Sequence, residues 1–125
     1  MKSEAQHQAA VIKWSMQPSI RNNWPELALL HHIPNGGTRD PIEAKHLKQQ
    51  GVKSGVPDLH LPVARGMYHS LYIEMKTESG HTSDAQDWWG DHLRANGNAW
   101  IVCHGWEAAV AALEWYLQLG DYHGN

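Results

Sequence analysis

Gly55-Val56-Pro57-Asp58-Leu59-His60-Leu61, answered further along by Leu71-Tyr72-Ile73-Glu74-Met75-Lys76, is the part of the chain on which the fold turns. The second stretch alternates with the period of a β-strand, so Leu71, Ile73 and Met75 share one face and Tyr72, Glu74 and Lys76 the other. The first set is a core face. The second carries an acid and an amine about 6–7 Å apart along the strand. Ala64-Arg65-Gly66-Met67-Tyr68-His69 between the runs reads as the tip of a hairpin. A five-residue loop at 64–68 pairs Val63 with His69 and sets Asp58 opposite Glu74. A six-residue loop shifts the register by one, and the sequence leaves both open. In either case Asp58, Glu74 and Lys76 end in one small volume.

Two neighbouring carboxylates repel, so at neutral pH they need a cation, a proton or an arginine between them. All-oxygen ligands suit a hard ion such as Mg²⁺ or Mn²⁺. An amine beside such an ion can orient a water or stabilise charge on a phosphate. Together these groups suit metal-assisted phosphodiester hydrolysis. The plainer alternative is a surface hairpin with a Glu/Lys pair on its wet face.

Towards the N-terminus, Ser3 and Gln6 form a capping box, and Ala5, Ala9, Ile12 and Met16 recur at helical spacing as the expected core stripe, with Pro18 ending the helix. Glu4 falls in the first turn, where the helix dipole favours a carboxylate. Leu27 to Ile33 reads as a short apolar strand, broken by Pro34-Asn35-Gly36-Gly37. That break is either a turn or a loop whose backbone N–H groups, with Arg39, approach a phosphate. Asp40-Pro41-Ile42-Glu43 starts a helix and Gly51 closes it. From Arg39 to Lys53 the chain carries Arg39, Lys45, Lys48 and Lys53 against Asp40 and Glu43. This is either a solvated helix face or a phosphate-contacting one.

Beyond the hairpin, Ser83 and Gln86 make a second capping box. Ala85, Trp88, Trp89 and Leu93 are expected to line the core side of the helix that follows, with base-stacking surfaces as the alternative for the two tryptophans. Gln86 sits one turn into it, able either to cap alone or to turn its amide towards the acid pair. Ala99 to Cys103 reads as a buried strand. A last helix presents Trp106, Ala109, Val110, Leu113, Tyr116 and Leu117 inward. The resulting order is helix–strand–helix–strand–strand–helix–strand–helix, an α/β domain with a mixed sheet flanked by helices.

One hundred and twenty-five residues suit one domain, residues 1–125 with a core of about 3–119. No apolar run approaches ~18 residues, so no membrane span is expected. A single cysteine, Cys103, excludes an internal disulfide and fits a reducing cytoplasm. The net charge of −3 means that a nucleic-acid binder of this composition must concentrate its cations locally. Ten histidines form no helical i,i+4 pair, which argues against a zinc site. His60 and His81 alone fall near the acid pair, as candidate contacts to a nucleic acid. The phosphate-binding glycine motifs of nucleotide sites are absent.

Pro57-Asp58 followed by Glu74-Met75-Lys76 resembles the PD-(D/E)xK nuclease signature. The flanking residues make the chain similar to the VRR-NUC (virus-type replication-repair nuclease) family. These are Pro34-Asn35-Gly36-Gly37 with Arg39, then Ala44, Leu47-Lys48, Gly51 and Gly55-Val56, and finally Ser83, Gln86 and Gly97. The resemblance runs from about residue 4 to about residue 117. It implies a restriction-endonuclease-like core and a Mg²⁺- or Mn²⁺-dependent endonuclease acting on branched DNA, four-way junctions included. Asp58, Glu74 and the Met75 carbonyl would hold the metal, with Glu4 as an extra acid. Lys76 would act on water or phosphate and Gln86 would assist. Asn35, Gly36, Arg39, Lys45, Lys48 and Lys53 would meet DNA. A short nuclease of this kind is expected to select substrate as a homodimer, in a bacterial or phage-infected cell. The rival readings are a DNA-binding module that does not cut, and a nickase or general repair nuclease.

Overall fold

The computed structural model describes residues 1–35 and 39–124. The chain forms α1 (Glu4–Ser15), α2 (Pro18–Asn23), a 3₁₀ turn (Pro25–Leu29), β1 (His31–His32), α3 (Pro41–Gln49), β2 (Leu59–Leu61), β3 (Leu71–Lys76), α4 (Asp84–Ala95), β4 (Ala99–His104) and α5 (Trp106–Leu117). The strands lie in the order β1-β2-β3-β4, antiparallel except for the parallel β3–β4 pair. The α/β mixed sheet with flanking helices is thus as expected.

Leu59 pairs with Ile73 and Leu61 with Leu71, the register that brings Asp58 level with Glu74. The ladder ends sooner than the sequence suggests. Pro62 follows the last residue of β2, and the His69 N–H goes to the Gly97 carbonyl (2.8 Å) rather than to Val63. A proline has no N–H to continue a ladder, so the hairpin opens into a wide loop.

One sheet face carries Leu59, Leu61, Leu71, Ile73, Met75 and Cys103, all nearly inaccessible to solvent, beneath α1 and α5. Tyr116 closes this core and donates its hydroxyl proton to the Val63 carbonyl (2.6 Å). The other face carries Tyr72, Trp100, Glu74 and Val102, paired in register, and α4 packs on it. Gly90 is what lets α4 come down: a Cβ there would lie 2.5 Å from the Trp100 indole.

Three expectations fail in whole or in part. Leu27 to Ile33 is not one strand. Pro25 starts a 3₁₀ turn that drops Leu27 into the core, and only His31 and His32 pair with β2. The core stripe of α1 is Val11 and Ser15, with Ile12 half-buried beside them as expected, whereas Ala5, Ala9 and Met16 are exposed, Met16 by 64%. Ser15 can be buried because its hydroxyl is satisfied by the Ile12 carbonyl (2.7 Å), which hydrophobic spacing does not register. The apolar stripe of α4 also does not face the core, since Ala85 is exposed, Trp88 is 55% exposed and Gly90 is the buried residue.

Candidate active site and basic cleft

Asp58 stands just before β2, held by both its main chain and its side chain. Its carbonyl accepts the Ile33 N–H (2.9 Å) and lies 2.8 Å from Nδ1 of His32. Its carboxylate Oδ2 accepts the Met75 N–H (2.8 Å). In a strand the N–H and C=O of one residue point to the same edge, so the Met75 carbonyl lies along the edge that Asp58 occupies. His32 had not stood out in the sequence; only the sheet brings it 26 residues forward to Asp58.

Glu74 is 1% exposed, a carboxyl group at the centre of the sheet. Its Oε2 accepts the Gln86 amide (3.2 Å), and its buried Oε1 accepts no hydrogen bond among the described residues. Burial is the largest influence on its acidity, followed by the adjoining Asp58. Together they push its pKa up to about 9, with Lys76 opposing and Glu4 adding to the rise. Lys76, 7% exposed, emerges on the same face two residues on. An orphaned acceptor in so buried a carboxyl is costly. Oxygen donors from Asp58 and Glu74 around that atom fit a hard divalent cation.

Gln86 does both things considered for it. Its Oε1 accepts the Ser83 N–H (2.9 Å) in the capping box while its amide reaches Glu74. The start of α4 is brought to the acids by Gly55, whose φ of +88° and absent Cβ allow the loop before Asp58 to lie against the Ala85 main chain. A Cβ at residue 55 would sit 2.8 Å from Ala85 backbone atoms. Glu4 begins α1 and is felt at Glu74 through space. Among the described residues, however, no three His, Cys, Asp or Glu side chains form a group that could hold a metal.

His60 stacks on Tyr72 (4.1 Å between ring centres, 8° between planes), and its Nε2 lies 3.1 Å from the Ser70 hydroxyl. Burial and the neighbouring His31 lower its pKa to about 4, so it presents a neutral ring at neutral pH. His81 is exposed. Cys103 is buried, with its pKa pushed up to about 12 by desolvation, and is no nucleophile at neutral pH.

An open cleft of about 1050 Å³ runs between α3 and α4, with a lining that reaches Gly55 but not Asp58, Glu74 or Lys76. Asn35, Lys48 and Lys53 line it, whereas Arg39 and Lys45 are exposed outside its lining. Gly36 lies outside the described residues. Trp88 and His92 line the opposite wall. The two sit at i,i+4 spacing on α4, the signal in the sequence for a shared helix face.

Residues 2–107 match the family described as the VRR-NUC domain. A solved structure described as a VRR_NUC domain protein superposes with a TM-score of 0.83 at 31% identity, over 99% of this chain and 95% of that one. Among curated proteins no sequence matches. A family match over most of the chain, on a fold that brings Asp58, Glu74 and Lys76 together, leads to one assignment. The chain belongs to the VRR-NUC family of nuclease-type, DNA-processing domains.

Proposed function

We propose that this domain is a divalent-metal-dependent DNA endonuclease that hydrolyses phosphodiester bonds in branched DNA, four-way junctions among them. The observation that carries the reading is the partnerless Glu74 Oε1, buried beside Asp58 and Lys76. Asp58 and Glu74, with the Met75 carbonyl, would hold Mg²⁺ or Mn²⁺, which when bound supplies Lewis acidity towards phosphate and water. Lys76 keeps a cation on the same face and stabilises charge that builds on the phosphate in the transition state. Gln86 fixes the orientation of the Glu74 carboxyl by holding Oε2. Glu4 contributes negative potential at the mouth rather than a third close ligand.

DNA reaches this centre along the α3–α4 cleft, with Asn35, Lys48 and Lys53 in its lining and Arg39 and Lys45 on the adjoining surface. The test is incubation of end-labelled four-way junction, flap and linear duplex with Mg²⁺ or Mn²⁺ and with EDTA. Metal-dependent cutting of the branched substrates supports the proposal. Binding without cutting in either ion leaves only a DNA-binding module, and equal cutting of all three removes the preference for branches.

Lys48→Ala combined with Lys53→Ala is expected to flatten the slope of log affinity against log salt by about 2, the signature of two lost phosphate contacts. The slope is read by fluorescence anisotropy in EDTA, and an unchanged value takes both lysines out of the interface. Two cuts on opposite strands call for two active sites, hence a homodimer. Met67 and Trp115, 61% and 44% exposed and lining one shallow pocket at the hairpin end, suit its interface. Light scattering at micromolar concentration should give twice the chain mass of 14.1 kDa. A monomer would remove this part of the proposal.

A further inference from the structure

Trp88 is a large apolar side chain that the fold does not use for packing. Gly90 faces the Trp100 indole on the sheet. Two residues along an α-helix is a turn of about 200°, so Trp88 and His92 both project away from the sheet and into the cleft. The ring of His92 lies on the Trp88 indole (3.9 Å between centres, 30° between planes), its Nδ1 2.8 Å from the Trp88 carbonyl. Trp89 meets the same indole edge-on at 5.8 Å. The indole is thus held in one orientation by its neighbours, yet 55% of the residue stays exposed. Among the described residues, the lining of this cleft includes Lys48, Lys53 and no carboxylate, in a chain whose net charge is −3. An oriented aromatic plane beside lysines is the arrangement that takes a nucleobase on its face and the attached phosphates on its rim.

We infer that the α3–α4 cleft is a subsite for an unpaired nucleobase of single-stranded DNA, stacked on Trp88. The inference deepens the nuclease reading and rests on it for the cleft's relation to the cutting centre. Gln86, which holds Glu74, precedes Trp88 by two residues and His92 by six, about 3 Å and 9 Å of helix rise. The same turn of about 200° separates Gln86 from Trp88, so a base stacked there lies across α4 from the acid pair. The substrate class that follows is DNA that offers an unpaired segment to the cleft, rather than a fully paired duplex.

The test is anisotropy binding in EDTA of a labelled single strand, a flap and a fully paired duplex to the wild-type chain, Trp88→Ala and Trp88→Phe. Loss of one base stack predicts weaker binding of Trp88→Ala to single strand and flap by about 5- to 100-fold. Trp88→Phe should recover part of that loss, and duplex binding should stay within about twofold. An equal loss on all three substrates, or none on any, overturns the subsite. So does a halving of the mass of Trp88→Ala in light scattering, which would make the indole an interface between copies. Because these measurements involve no cutting, a chain that cleaves nothing yet prefers single strands would sink the nuclease reading and leave the subsite standing.

Discussion

Asp58→Asn and Lys76→Ala are each expected to lower the rate of DNA cleavage at saturating divalent ion by at least about 10²- to 10³-fold, the loss seen when one preorganised transition-state contact is removed. The two substitutions should separate in stability. Asp58→Asn keeps a side-chain oxygen for the Met75 N–H and removes the negative neighbour that raises the Glu74 pKa, so the metal-free fold should change little at neutral pH and gain stability only where Glu74 is ionised. Lys76→Ala takes away the cation that opposes this effect, so it should do nothing to relieve the buried acid. Urea unfolding beside single-turnover cleavage reads both. If either variant cuts within about threefold of wild type, the acid pair and its amine are not the catalytic centre.

The metal-free protein is also expected to lose stability as pH rises, with Glu74 as the cause. Its pKa goes from an ordinary 4.5 when unfolded to about 9 when folded, so between these values the folded state binds the extra proton. The stabilisation is fully present below about 4.5 and disappears as pH climbs through the folded value. Scanning fluorimetry in EDTA from pH 5 to pH 9 should show this decline, and Glu74→Gln, neutral throughout, should flatten it. A divalent ion competes with that proton, so Mn²⁺ should raise the Tm of wild type more at pH 8 than at pH 5. It should do little for Glu74→Gln. A wild-type decline unchanged by the substitution would assign the titration to another group.

Much of the site was legible because its signals are local. A Pro-Asp before an apolar run and a Glu-x-Lys in an alternating strand need only strand geometry to meet. The capping box at Ser83 predicted the start of α4, and that start carries Gln86 to Glu74. The misreadings share a different origin. Trp88 and Met16 are apolar by composition, but each lies on a side of its helix that is left exposed. Ser15 is polar by composition, yet buried with its hydroxyl satisfied inside its own turn. Hydrophobic spacing records that a face exists; it does not record what packs against it.

By itself the sequence determined the strand alternation, the helix caps and the acid–acid–amine set, since each depends on residues a few positions apart. Tertiary structure alone decided the hairpin register and the partnerless state of Glu74 Oε1. It also decided which wall of α4 stays open to solvent. The last depends on how closely Gly55 and Gly90 let α4 approach the sheet and the loop before β2, a contact distance that no single stretch of the chain contains.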